Sequence, residues 1–306
     1  MGESQTVVLG TASPLCRSRP APPDYDAGVS RLRSPGGGDK SPIFASQRGP
    51  AVLCLHGLTG TPYEVAPLAR ALGAAGYFVS APLLAGHGET TAALVATRWQ
   101  DWFASAEVAF DRLRAASGGG AVAVLGFSMG GLLALRMARL RPADVAAVMA
   151  FSVPLRLRPW QIAAAKAWRR LPGFLRRGPL AVLRKRGGSD VTDADARREN
   201  PSLPEMPIGS VAEIVDLAAI VRRDLAFIKQ PTLVAHGELD HTVDLQASYE
   251  LAGSLASEEV RRLWLPRSAH LIGVDVERVK LAETVIQFLN EHHHRGATAS
   301  PESPPA

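Results

Sequence analysis

The chain has 306 residues, 46% of them hydrophobic and 6% aromatic, with 34 Lys and Arg against 29 Asp and Glu for a formal charge of +5. That length fits one large α/β domain with an insertion or two small domains, and its apolar content is ample for a core built mostly of Ala, Leu and Val. No stretch approaches the length needed to span a bilayer, and the modest positive charge implies only mild attraction to anionic surfaces.

Residues 1–48 are rich in Pro, Ser, Arg and Gly and read as an irregular lead, with a short strand at "TVVLG" or "PIFAS". The first residues include Glu3 and no long apolar core, so they do not read as a signal peptide. Of the two cysteines, Cys16 lies in this lead and Cys54 inside "AVLCLHG", where it reads as a small buried hydrophobe. No disulfide is expected between them, and a reducing, cytoplasmic location follows.

From residue 49 the pattern alternates. "AVLCL" is a strand and "YEVAPLARALGAAG" a helix; "FVSAPLL" is a strand and "WQDWFASAEVAFDRLRAA" a helix. "AVAVLGF", "MGGLLALRMARLR" and "VAAVMAF" continue as strand, helix, strand. After a lapse come helix "VAEIVDLAAIVRRDL", strand "TLVAHG", helix "LQASYELAGSLA", strand "RRLWLP" and helix "VERVKLAETVIQFL". The strands are continuous apolar runs, which marks a mostly parallel sheet covered by helices on both faces. Alternation of this length implies right-handed βαβ units. The lapse, about residues 155–208, is too long for a plain loop and reads as a small helical cap over the strands' C-terminal ends. Residues 295–306 read as a disordered tail, and the histidines at 292–294 as part of it rather than a metal site.

Gly126-Phe127-Ser128-Met129-Gly130 fits G-x-S-x-G, between a buried strand and an amphipathic helix. The turn is so tight that side chains two positions either side of the serine would collide. It raises the Ser128 hydroxyl above the sheet edge, where the side chain is also expected to cap the helix. A hydroxyl is a poor nucleophile at neutral pH and needs a base. Asp240 follows the strand "TLVAHG" and His270 follows the last strand, in the order Ser, Asp, His. His270 would take the Ser128 proton, and Asp240 would fix its tautomer. Rivals to Asp240 are Glu238 and Asp244; rivals to His270 are His56, His87, His236 and His241. His56 and His236 sit in "HG" turns directly after strands, where a structural role is expected. Leu58 in "HGLTGTP" and Met129 are the expected backbone N–H donors of an oxyanion hole.

These motifs, with "GHGE" at 86–89, Trp99, Trp102 and "SAHLI", resemble the α/β-hydrolase superfamily, and more narrowly its bacterial carboxylesterase and monoacylglycerol lipase group. The resemblance spans about residues 50–290. It implies an α/β-hydrolase fold over 49–294, with ester hydrolysis through an acyl-enzyme and no cofactor or metal. Ser128, Asp240 and His270 would form the triad, with Leu58 and Met129 as oxyanion donors. The same triad could serve a thioesterase, an acyltransferase or a serine aminopeptidase-like amide hydrolase, and the scaffold could also be a non-catalytic ligand-binding module.

Between Pro154 and Gly188 ten Lys and Arg and no acid interleave with Trp160, Trp168, Leu171 and Phe174. Such a cap could roof the pocket with its apolar face, or touch anionic lipid. Without a recognition motif the charge does not indicate nucleic acid. An amide hydrolase taking an amino terminus would need an acidic subsite, which this acid-free segment does not supply.

Overall fold

The structure, a computed structural model, describes residues 39–45, 49–157, 159–172, 182–184 and 188–297. Its centre is a seven-stranded sheet of β1 (Ile43–Ala45), β2 (Ala51–Leu55), β3 (Phe78–Ala81), β4 (Val122–Phe127), β5 (Val145–Phe151), β8 (Thr232–Gly237) and β9 (Val260–Leu265), in the order β1-β3-β2-β4-β5-β8-β9. Every pairing is parallel except β1 on β3, so an antiparallel strand from "PIFAS" closes one edge. The other expected lead strand, at Thr6–Gly10, lies outside the described residues, as does Cys16.

The apolar runs are buried on both faces because successive side chains alternate between two cores. In β2, Leu53 and Leu55 join one core, while Val52 and Cys54 join the other. The first core is covered by α3 (Trp99–Ala116), α4 (Met129–Leu140), α7 (Ile208–Asp224) and α8 (Leu245–Ser254). The second is covered by α1 (Ala66–Ala74) and α9 (Arg278–Ala297). Helix α3 shows the logic: Trp102, Phe103, Ala106, Phe110 and Leu113 recur every three or four residues and are all buried. Each large side chain so placed contributes roughly 1.5–3 kcal/mol. Asp101 accepts the Arg98 N–H at 2.8 Å to start the helix.

Element ends shift for local reasons. β3 stops at Ala81, short of the expected Leu84, because Pro82 has no N–H to give the ladder. α9 continues to Ala297, past the expected boundary at 294; residues 298–306 lie outside the described set. α2 (Thr91–Val95), capped by Thr90 Oγ1 on the Ala93 N–H, is too short to show in the periodicity. No helix among the described residues is long and apolar enough to cross a membrane.

Between β5 and α7 lies the cap: α5 (Pro159–Arg170), β6 (Val182–Arg184), α6 (Ala194–Glu199) and β7 (Glu205–Pro207). The antiparallel pair β6–β7, in register Leu183 to Met206, was not expected. α5 rests on α7, with Ala165 and Trp168 against Ala212. The Arg169 guanidinium bonds the Ala212 carbonyl and Asp216, so this cap cation is paired. The cap's Phe174 lies outside the described residues.

Candidate active site

The glycines around Ser128 are there for space. A Cβ on Gly126 would lie 2.0 Å from the Gly130 carbonyl oxygen, and one on Gly130 would lie 2.3 Å from that of Leu55. With no such clash the chain turns at Ser128, which takes φ 52° and ψ −116°. A serine there is strained by roughly 1–3 kcal/mol. The Ser128 N–H donates to the Phe151 carbonyl on β5, 2.8 Å away, which anchors the turn. One expectation is corrected: Ser128 stands at the N-cap position, but its side chain makes no cap bond. The hydroxyl faces His270 instead, with Oγ 3.1 Å from Nε2.

His270 follows β9 and Asp240 follows β8, on neighbouring strands. The loops interlock, since a Cβ on Gly237 would lie 2.2 Å from the Ala269 carbonyl oxygen. His270 Nδ1 donates to Asp240 Oδ2 at 2.6 Å. Asp240 Oδ1 accepts the N–H groups of Thr242 and Val243 at 2.8 and 2.7 Å. A second imidazole, His236, brings Nε2 to 3.2 Å from the same Oδ2. Ser152, also left-handed at φ 46°, donates its hydroxyl to the His270 carbonyl at 3.1 Å.

Burial alone would raise the Asp240 pKa, but the His270 charge and hydrogen bonds from His236 and His270 outweigh it and hold the carboxyl below its ordinary range. Burial would lower His270; the Asp240 charge and hydrogen bond reverse this, with Asp190 and Glu64 adding to the upward shift. The pair is thus an ionised carboxylate beside an imidazole that accepts a proton readily.

The rival residues are occupied elsewhere. His56 donates from Nδ1 to the Gly57 carbonyl and accepts the Leu84 N–H on Nε2, and burial pushes its pKa down to about 3. His87 is likewise buried and pushed down to about 4. His241 is exposed and bonds Asp190 through its backbone N–H. Asp244 caps α8, and Glu238 is exposed.

Leu58 and Met129 line the same cavity as Ser128 and His270, a space of about 170 Å³. Met206, Val211 and Ile214 form an apolar side, while Arg156, Ser189 and Thr242 add polar groups. Two carboxylates also reach it, Glu64 and Asp190. Glu64 was missed in the sequence. It is buried, and its Oε2 accepts the Gly57 N–H at 2.8 Å, bracing the loop that carries Leu58. Glu259, Glu291 and His292 are the described residues spaced to share a metal, but Glu291 already bonds Arg261 and Gln287, and none of the three lines the cavity.

Residues 46–277 match the family model described as serine aminopeptidase, S33. The chain is similar to a thermostable monoacylglycerol lipase of Bacillus sp. (strain H-257), 29% identical over 81% of this chain and 94% of that one. It is also similar to a carboxylesterase of Bacillus subtilis (strain 168), 25% identical over 79% and 92%. A solved structure reported for the metagenome-derived lipolytic enzymes LipS and LipT superposes with a TM-score of 0.75 at 28% identity, covering 85% of this chain and all of that one. With a family match over most of its length and a doubly covered parallel sheet, the chain belongs to the serine aminopeptidase, S33 family and is a serine hydrolase of the α/β-hydrolase fold.

Proposed function

We propose that the protein hydrolyses carboxylic esters, of short to medium acyl chain or of monoacylglycerol type, with Ser128, His270 and Asp240 as its triad. The observation carrying this is the unbroken chain of contacts, 3.1 Å from Ser128 Oγ to His270 Nε2 and 2.6 Å from His270 Nδ1 to Asp240 Oδ2, opening into a largely apolar cavity. His270 takes the Ser128 proton as Oγ bonds to the ester carbonyl carbon. The resulting oxyanion is received by the N–H groups of Leu58 and Met129, a donor of this kind being worth about 3 kcal/mol. His270 then passes the proton to the departing alkoxide, leaving an acyl-serine and the free alcohol. Water attacks the acyl-serine with His270 again as base, releasing the acid and restoring Ser128. Relatives named carboxylesterase and monoacylglycerol lipase support the ester reading.

Amide cleavage with the same triad is the second reading, because Glu64 and Asp190 bring acid into the cavity that the stretch from Pro154 to Gly188 lacks. Both carboxylates already serve the protein, Glu64 on the Gly57 N–H and Asp190 on the Thr242 hydroxyl and the His241 N–H. That favours the ester over a substrate bearing an ammonium group.

Rates on nitrophenyl esters from acetate to palmitate, on a monoacylglycerol and on an aminoacyl amide test the choice. Ester turnover should dominate, and Ser128→Ala should lose at least about a thousandfold. Amide turnover exceeding ester turnover would overturn it. The expected lipid contact of the cap would fall to exposed cations on α5 such as Lys166 and Arg170. Co-sedimentation with anionic vesicles but not neutral ones at low salt supports that contact; equal binding, or none, counts against it.

A further inference from the structure

His236 is the penultimate residue of β8, fully buried, and belongs to none of the roles assigned above. Its Nε2 faces two acceptors, Asp240 Oδ2 at 3.2 Å and the Val243 carbonyl at 3.3 Å. A nitrogen between two groups that can only accept must carry the proton. Its Nδ1 lies 2.7 Å from Ser248 Oγ on α8. A hydroxyl there can donate to a bare nitrogen and so hold the Nε2–H tautomer.

The Asp240 carboxylate is thus closely held: Oδ1 takes two backbone N–H groups, and Oδ2 takes the His270 N–H and lies 3.2 Å from the His236 Nε2, whose N–H also reaches the Val243 carbonyl. Both histidines share a single oxygen. Any charge His236 draws onto its own bond is withdrawn from the bond to His270.

We propose that His236 is a positioning residue of the triad: it locks the plane of the Asp240 carboxylate and sets how strongly that carboxylate holds the His270 cation. This rests on the ester-hydrolase reading above. The direction of the effect follows from the geometry. Without the His236 N–H, the buried Asp240 charge has one donor fewer and pulls harder on imidazolium at His270. His270 then stays protonated to higher pH, and the acid limb of kcat/KM moves up. The other charges facing His270 are Asp190 from the cap and Glu64 beside the oxyanion loop, and both are left in place by a change at His236. On the far side, α8 presents the neutral Ser248 to His236.

The test is the pH dependence of kcat/KM on the best nitrophenyl ester for the wild type, His236→Leu and His236→Gln. Leucine removes the donor; glutamine can return an N–H near the Nε2 position. His236→Leu should shift the acid limb up by about half a unit to one unit and lower kcat/KM by about tenfold to a hundredfold, and His236→Gln should recover most of both. A rate loss with an unmoved acid limb, or glutamine no better than leucine, would overturn the proposal. Should His236→Leu not fold, nitrogen-15 spectra of the wild-type histidines decide. An Nε2–H tautomer at His236 supports the proposal, and an Nδ1–H tautomer overturns it. Absence of Ser128-dependent ester turnover in the wild type would defeat the functional reading instead, a result the spectra do not depend on.

Discussion

Asp275 accepts the Thr192 N–H on both of its carboxylate oxygens, each at 3.0 Å, and so ties the cap to the loop that carries His270. The same buried carboxylate takes the N–H groups of Ala269 at 2.7 Å, Asp193 at 2.9 Å and Val276 at 2.8 Å, and the Thr192 hydroxyl. Ala269 is the residue before His270, so one group anchors both the cap and the His270 loop.

Asp275→Asn keeps the size but turns one acceptor into a donor aimed at N–H groups. It should lower stability by about 1–3 kcal/mol, the cost of leaving a buried donor unpaired, and should lower kcat/KM as the His270 loop loosens. Urea unfolding and ester kinetics check this. A variant unchanged in both would show that the carboxylate is not needed.

Glu64 braces the loop of Gly57 and Leu58, the proposed oxyanion donor, through the Gly57 N–H. Glu64→Gln retains an acceptor and should keep most of the activity. Glu64→Ala should lower kcat by about tenfold to a hundredfold with KM little changed, somewhat less than the loss of an oxyanion donor outright. A change confined to KM would move Glu64 from loop bracing to substrate binding.

The glycines divide into those that need space and those that do not. Gly126→Ala would drive a methyl into the Gly130 carbonyl and should cost more than about 3 kcal/mol, with loss of fluorophosphonate labelling at Ser128. Gly120→Ala meets nothing within 4 Å and should stay within about 0.5 kcal/mol of wild type. Equal stability of the two variants, measured by urea midpoint, would refute the steric account of the elbow.

His56 and His87 are held neutral by burial, with pKa values near 3 and 4. Between about pH 6.5 and 4 the unfolded chain binds protons at these sites that the folded chain refuses. Stability therefore falls as pH falls, by up to about 1.4 kcal/mol per pH unit for each group. His270, shifted upward, has the opposite sign: its contribution is present at low pH and is lost as pH rises through its folded pKa. That loss falls above about pH 6.5, outside this window, so the slope these histidines give between about pH 4 and 6.5 is positive. His87→Gln should flatten the slope seen in urea midpoints from pH 4.5 to 7; an identical slope would place the acid sensitivity elsewhere.

The sheet was legible because its strands are continuous apolar runs, and the nucleophile elbow because Gly126 and Gly130 stand two residues either side of Ser128 between a strand and a helix. That Asp240 and His270 each stand just beyond the end of a strand was legible from position alone. The pair β6–β7 was not, since three-residue strands leave no periodicity to read. The side-chain capping role expected of Ser128 failed because His270 competes for the hydroxyl, a contact made 142 residues away. Glu64 and Asp275 were invisible as supports for the same reason, and His236, read as structural in its "HG" turn, gave no sign of its partner. Each acts on backbone or carboxylate brought near by the fold, and nothing in the neighbouring residues announces the partner.

Because the two carboxylate-linked loops leave adjacent strands at the far edge, while the elbow leaves a strand laid down much earlier, the constellation closes only when β8 has docked onto β5 and β9 onto β8. A chain released before its final third would carry the elbow without Asp240 and His270. On the proposed triad, reactivity at that hydroxyl therefore reports completion of the whole domain, a built-in readout of maturation rather than of local order.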